Sequence, residues 1–207
     1  FNTDGHWQVL PDKAYSTFDK FMVPGYFAAS SGEQLNMEKY PWGWQTGNED
    51  KNYKWLQARQ IGHAFDKGTR DRGGRCLVPR SIPQMELSPI SVGKIKMPFI
   101  VGAHSKKEIL IDRDSLITAY LSLQTSGGKG ARIEACYAEA LFDHDMPDIW
   151  HATKHDRNDL RGKVMLGNKD VFIADGGNQR QMVTLWWRTW RYLKLTVETA
   201  DEPLMID

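Results

Sequence analysis

The 207-residue chain carries 27 Lys and Arg against 26 Asp and Glu, a formal net charge of +1, so its composition gives no general electrostatic attraction to nucleic acid or to an anionic membrane. Hydrophobic residues make up 41% of the chain, which is enough to bury a core. No stretch approaches the roughly 18 consecutive apolar residues of a membrane-spanning helix. The start at Phe1, without the basic and apolar segments of a signal peptide, favours a processed product or a piece of a longer protein.

The first part of the chain, residues 1–89, is rich in turn formers and aromatic residues and shows little periodicity. This composition predicts loops joined by short strands, with candidate strands at Trp7–Leu10, Phe21–Phe27 and Gln57–Ala64. The segment Leu77–Glu86 contains two prolines four positions apart, which neither a helix nor a central strand tolerates. We therefore expect this loop-rich β region to end in an extended connector.

The second part, residues 90–207, shows the two-residue alternation of half-buried strands. Alternation or apolar runs predict strands over Leu116–Thr125, Ala131–Glu139, Val171–Ile173 and Leu193–Glu198. Glycine-rich segments at 126–130 and 175–178 are predicted turns, the first of them a hairpin turn. Repeated short strands with few helix signals predict an all-β, two-sheet sandwich.

Several blocks of the chain resemble one family. Ala131–Leu141, Asp170–Phe172 with Asp175–Gly177, and Trp187–Leu193 look like the β-sandwich module of bacterial α-L-rhamnosidases, and the earlier segments Gly25–Phe27, Tyr40–Trp44 and Leu77–Glu86 are similar to sequence that precedes this module in those multidomain enzymes. The resemblance implies a jelly-roll or galactose-binding-like β-sandwich at residues 90–207, and it implies that residues 1–89 are part of a preceding accessory domain. It also implies a periplasmic or secreted location and a downstream (α/α)-barrel catalytic domain.

The resemblance carries no catalytic residue onto this chain. In that family the catalytic carboxyl groups lie in the helical barrel, C-terminal to the sandwich, and no part of this sequence resembles the barrel. We therefore expect a non-catalytic accessory region of a glycoside hydrolase that is inactive by itself. Its expected partner is the catalytic domain of the same polypeptide, and we expect no cofactor, nucleic acid or membrane.

An alternative function is that of an autonomous carbohydrate-binding module for rhamnose-containing glycans. Exposed aromatic rings stack on sugars, and the candidates are Trp42 and Trp44 in a Pro/Gly loop and Trp186 beside the last strand. The same side chains could instead fill a core or a domain junction, because each buries a large area. For Arg188 and Arg191 we expect hydrogen bonds to loop carbonyls or ion pairs with carboxylates near the sheet edge.

Glycoside hydrolysis requires two carboxyl groups that flank one sugar, and the tempting pair is Glu134 and Glu139. Five positions apart in a strand, these side chains have opposite parity and project from opposite faces. We therefore expect a solvated Glu134 and a Glu139 held by a nearby arginine or backbone donor.

The loop at residues 142–156 is the best candidate for a metal site. Its possible ligands are His144, Asp145, His151 and His155. The spacing of His151 and His155 suits zinc on a helix, whereas the neighbouring carboxylates could bind calcium. Pro147 interrupts such a helix and the loop lacks the glycine pattern of an EF-hand, so a plain surface loop is the third possibility.

Overall fold

The computed structural model describes residues 4–18, 31–48, 53–60, 78–143 and 153–207. Within these ranges the chain forms fourteen strands and two short 3₁₀ helices, Met37–Lys39 and Trp44–Thr46. The strands are β1 Gln8–Val9, β2 Tyr15–Phe18, β3 Gly32–Asn36, β4 Leu56–Gln57, β5 Phe99–Val101, β6 Lys106–Ala119, β7 Ser122–Gly127, β8 Arg132–Ala138, β9 Phe142–Asp143, β10 Lys163–Val164, β11 Lys169–Ile173, β12 Arg180–Val183, β13 Arg188–Glu198 and β14 Leu204–Ile206. No helix in the described ranges has the length and apolar character needed to span a lipid bilayer.

The chain divides into two compact units. One consists of Phe1–Pro11 and Pro41–Ile90 and contains the β1–β4 pair; the other consists of Asp12–Tyr40 and Ser91–Asp207 and contains the remaining strands. The division predicted near residue 90 falls at one of these junctions, whereas Asp12–Tyr40 groups with the second unit. This grouping follows from strand pairing, because β3 lies parallel to β11 in the same sheet.

Two main sheets and the short antiparallel pair β9–β10 build the second unit. The larger has six strands in the order β2-β3-β11-β8-β13-β6, and the smaller has four in the order β12-β7-β14-β5. In the larger sheet Leu195 of β13 lies opposite Ala135 of β8 on one side and Ile109 of β6 on the other. All its pairs are antiparallel except β3 with β11.

The predicted alternation is confirmed in β8 and β13. The side chains predicted to share one face are buried, and so are apolar side chains of the smaller sheet: Ile133, Ala135, Tyr137, Leu193, Leu195 and Val197 in the larger, and Leu123, Met182, Leu204 and Ile206 in the smaller. Burial of this kind stabilises the fold by roughly 25 cal/mol per Å² of apolar surface removed from water. The fold is mostly β with several sheets, consistent with the predicted all-β sandwich.

Where strands end differs from the sequence prediction. The predicted strand Leu116–Thr125 is two strands, because β6 ends at Ala119 in the larger sheet and β7 begins at Ser122 in the smaller. The glycine-rich turn that follows joins β7 to β8 in the other sheet, so the prediction of a hairpin turn is wrong. Gly128 has a φ of +63°, and a Cβ there would lie 2.6 Å from Leu204 side-chain atoms. The alternation of burial continues through the crossover, since Leu121 and Leu123 are buried while Tyr120 is exposed.

The remaining N-terminal predictions are met in part. The strand expected at Trp7–Leu10 is β1, and of Gln57–Ala64 only Gln57 lies in a strand, β4, while 61–64 lie outside the described residues. The predicted strand Phe21–Phe27 also lies outside them. Residues 78–86 of the predicted connector have no helix or strand, as expected from its two prolines.

An irregularity in β13 sets the geometry of the functional region. The register between β13 and β6 shifts between Trp190 and Tyr192, and such a shift reverses which face the preceding residues occupy. Trp190 therefore lies on the inner face, with its ring centroid 6.4 Å from that of Tyr137. Tyr192 lies on the outer face, where it packs in a cluster with Ala138 and Leu141 against Leu160 and Met165.

Candidate functional site

A buried ion pair links β13 to β11. Arg188 Nη2 and Nε donate to the Asp170 carboxylate at 2.6 and 3.1 Å, and the two side chains are only 2% and 0% exposed. Arg188 Nη2 also lies 3.4 Å from the backbone carbonyl oxygen of Ser31. Although burial opposes the charge on Arg188, the hydrogen bonds and charge of Asp170 outweigh it and raise the arginine's pKa. The expectation that Arg188 pairs with a carboxylate is confirmed, but the pair lies buried on an interior strand of the sheet and not near its edge.

Glu33 extends this network towards the surface. Its backbone N–H donates to Asp170 Oδ1 at 2.8 Å, and its own Oε2 accepts from the backbone N–H of Leu185 at 2.7 Å. Glu33 Oε1 lies 3.8 Å from Arg188 Nη2, and the side chain is 16% exposed. Burial raises the pKa of Glu33 above its ordinary 4.5, against the opposing hydrogen bond from Leu185. The chain between β12 and β13 is thus tied to β3.

Above this network lies an exposed apolar segment that we call the tryptophan platform, Leu185–Trp187. The rings of Trp186 and Trp187 stack with centroids 5.7 Å apart and an interplanar angle of 24°. Leu185 is 63% and Trp186 40% exposed, while Trp187 is half-buried. Next to the platform, Tyr15 Oη donates to the backbone carbonyl oxygen of Val183 at 3.1 Å. The segment therefore presents apolar side chains to solvent from a backbone that is fixed on both sides.

The other two predicted sugar-binding tryptophans lie in the first unit. Trp44 begins the 3₁₀ helix Trp44–Thr46 and is 45% exposed, and Trp42 is half-buried. Gly43 between them adopts a φ of +81°, a conformation that glycine takes without a steric penalty. The predicted sugar-binding tryptophans are therefore divided between the two units, with Trp186 alone in the second.

Arg191 makes a second ion pair in the same tract. Its Nε and Nη2 donate to the two oxygens of Asp112 at 2.8 and 2.9 Å, and its Nη1 donates to Asn158 Oδ1 at 2.8 Å. The hydrogen bond from Arg191 lowers the pKa of Asp112. Tyr192 Oη donates to the backbone carbonyl oxygen of Arg157 at 2.5 Å. These contacts fasten residues 157–158 to β13 and to the edge strand β6, so the expectation that Arg191 pairs with a carboxylate near the sheet edge is confirmed.

Glu134 lies in a charge cluster on the outer face, and the expectation that it is solvated is wrong. Its carboxylate contacts Lys169 Nζ at 2.5 Å and Arg132 Nη2 at 2.9 Å, and the side chain is 15% exposed. Burial alone would raise the pKa of Glu134, but the hydrogen bonds from Lys169 and Arg132 outweigh it and lower the pKa. Glu139 is exposed and lies beyond the end of β8. The two carboxylates therefore occupy different surroundings.

Of the four predicted metal ligands, only His155 lies within the described residues; His144, Asp145 and His151 lie outside them. His155 Nε2 lies 3.1 Å from Asp143 Oδ2, which also accepts from Thr153 Oγ1 at 2.6 Å. The Lys163 ammonium lies 3.9 Å from Asp143 Oδ1. Among the described residues no group of three or more His, Cys, Asp or Glu is arranged to hold a metal ion. The metal site stays a prediction.

The sequence singled out the two arginines but missed the acidic residues that hold them. Asp170 lies in β11, where it is followed by the buried residues Val171 and Phe172. A carboxylate in such a strand is costly unless it is paired, and this rule was the available signal. Neither Glu33 nor Asp112 carries a comparable signal, because their partners come from strands distant in sequence.

Comparison with known proteins gives little further identification. No family model matches the chain, and no curated protein matches it. Among solved structures, a GH78 family rhamnosidase of Bacillus sp. GL1 matches at 18% sequence identity with a TM-score of 0.38, covering 55% of this chain and 10% of that chain. The chain thus spans about a tenth of the solved rhamnosidase chain. The similarity is weak and establishes no shared function.

Proposed function

We propose that this chain is a non-catalytic β-sandwich accessory region of an α-L-rhamnosidase-like glycoside hydrolase. The region would support or flank an (α/α)-barrel catalytic domain supplied by another part of the polypeptide. Its topology would be jelly-roll or galactose-binding-like, for which the six-stranded and four-stranded sheets provide the strands. The sequence resemblance to rhamnosidase sandwich modules motivates the proposal.

The observation that carries the proposal is the structural use of the residues that bear the resemblance. Arg188, from the block Trp187–Leu193, pairs with Asp170, from the block that begins at Asp170. Arg191 and Tyr192 of the first block bind a loop and the edge strand. A motif whose polar atoms are consumed in holding strands together is a scaffold motif, because reacting groups must reach a substrate.

Asp170 and Glu134 are poorly suited to glycoside hydrolysis. Asp170 is fully buried with both oxygens bound to Arg188, so it cannot activate water or donate to a leaving group at a sugar. Glu134 is neutralised by two cations, whereas a general acid in such an enzyme needs a raised pKa. These assignments favour a supporting role.

Hydrolysis of an aryl α-L-rhamnoside by the purified chain tests the proposal. We expect no release of the aryl alcohol above the uncatalysed rate. Turnover that rises in proportion to chain concentration and persists through further purification would contradict a non-catalytic role.

A second test uses the longer polypeptide that the proposal requires. There Arg188→Lys should lower the melting temperature while kcat is retained at temperatures where the protein is folded, because the bidentate pair with Asp170 is lost. The matched control is Arg161→Lys, which alters an exposed bidentate pair with Asp159 and should leave both quantities unchanged. A loss of kcat at full folding in Arg188→Lys would instead place this network in the reaction.

A further inference from the structure

The tryptophan platform presents an exposed aromatic side chain on a segment whose backbone is hydrogen-bonded at Val183 and Leu185. Trp186 is stacked on Trp187, so the platform offers one indole face backed by a second ring. With Trp186 40% and Leu185 63% exposed, this apolar surface faces water. Apolar surface held in water contributes nothing to folding, and contiguous exposed patches commonly mark binding sites.

The polar groups beneath the platform fix its position before any ligand arrives. The Glu33 carboxylate accepts a hydrogen bond from the Leu185 N–H at 2.7 Å. Glu33 is in turn joined to the buried pair of Asp170 and Arg188 through its backbone N–H. Binding of a ligand to the platform would require little loss of conformational entropy in the protein, because the backbone is already held in place.

We propose that the Trp186 face is a glycan-contact site that takes the C–H face of a neutral pyranose. Sugar C–H groups carry partial positive charge, and the face of an aromatic ring carries negative charge density, so the two surfaces attract when stacked. The proposal rests on the proposed function in one respect, namely that an accessory region of a glycoside hydrolase encounters glycans.

The charges near the platform select against acidic sugars. Two carboxylates, Glu33 and Asp170, lie against one guanidinium, that of Arg188. When Glu33 is ionised, this trio carries one net negative charge beneath the platform, which repels a uronate carboxylate in a weakly screened setting. Neutral pyranosides therefore bind in preference to galacturonic acid.

The test is a titration of the ¹⁵N-labelled full chain, followed through the indole N–H signals of its eight tryptophans. The probes are methyl α-L-rhamnopyranoside, methyl β-D-glucopyranoside and galacturonic acid, and the Trp186 signal is assigned by its loss in Trp186→Phe. We expect saturable shifts of the Trp186 and Trp187 signals with a neutral glycoside, at a Kd on the order of millimolar. Trp186→Ala should weaken binding at least about tenfold, which corresponds to about 1.4 kcal/mol, whereas Trp186→Phe should retain part of it.

Trp44→Ala is the matched control, because Trp44 is 45% exposed and lies in the other unit. It should leave the affinity unchanged. The proposal is overturned if no neutral glycoside shifts the Trp186 signal at glycoside concentrations up to about 100 mM. It is also overturned if Trp44→Ala rather than Trp186→Ala abolishes binding, or if galacturonic acid binds as tightly as the neutral probes. A Trp186 signal that moves with protein concentration and not with sugar would make the platform a protein-docking surface, which also overturns it.

This outcome is separable from that of the proposed function. Rhamnoside turnover by the chain would refute the accessory role without bearing on the titration. Flat titrations would remove the glycan-contact site and leave the chain a purely structural accessory region.

Discussion

Replacement of Arg188 by methionine should destabilise the second unit by about 3–5 kcal/mol, the usual cost of breaking a buried ion pair by removing one partner. The substitution deletes two hydrogen bonds to Asp170, at 2.6 and 3.1 Å, and leaves a carboxylate that is 0% exposed, to which the backbone N–H of Glu33 still donates at 2.8 Å. Methionine fills much of the vacated volume, so the loss reflects charge more than packing. The free energy of unfolding is measured by urea denaturation, and the m value should be the same for the wild type and the variant.

The double variant Arg188→Met/Asp170→Asn identifies the cause. Asparagine removes the uncompensated charge and keeps an oxygen for the Glu33 N–H, so the double variant should be more stable than Arg188→Met alone. Arg161→Met, which breaks an exposed pair with Asp159, is the control and should leave the urea midpoint unchanged. If Arg188→Met costs under about 1 kcal/mol, or if the double variant is no more stable than the single one, then the buried pair does not organise this sheet.

Two further substitutions test the electrostatics and the core. Burial raises the pKa of Glu33 above 4.5, so the folded state binds a proton more readily than the unfolded state, and the free energy of unfolding should fall as pH rises from about 4.5 through the folded pKa. Glu33→Gln should remove this slope, and a difference curve between wild type and variant that stays flat from about pH 4 to about pH 8 would contradict it. Leu195→Ala should cost about 2–5 kcal/mol in urea denaturation, because Leu195 is 1% exposed. The control Leu116→Ala alters a side chain that is 56% exposed and should have little effect, and a Leu195→Ala change within about 0.5 kcal/mol would mean that its face is not core.

The local sequence pattern was sufficient to predict which side chains share a buried face where a strand has a regular alternation. Ile133, Ala135 and Tyr137 were assigned to one face of β8 from their spacing, and all three are buried. The pattern was insufficient for the opposite face, where Cys136 is also buried and Glu134 is neutralised by Lys169. Periodicity reports which residues share a face, but it does not report what covers that face.

The candidate site was predicted less completely than the strands. Trp186, Arg188 and Arg191 were selected from one crowded tract, and the structure places them respectively at the surface, in the core and against the edge strand. Their different positions depend in part on the register shift between Trp190 and Tyr192. A strict alternation carried back from Leu193 would put Trp190 on the outer face, where the structure does not have it.

The sequence alone determined the β class, the face assignment of β13 from Leu193 to Glu198 and the position of the glycine-rich turn after β7, because each depends on side-chain period or backbone φ within a few residues. The tertiary structure decided which sheet each strand joins. It therefore decided that residues 32–36 pair with β11. It also decided that Asp170, Arg188 and Glu33 meet, since the backbone N–H of Glu33 and the carboxylate it binds are 137 positions apart in the chain. Contacts of that separation are set by which strands lie side by side in the six-stranded sheet, and no local spacing encodes them.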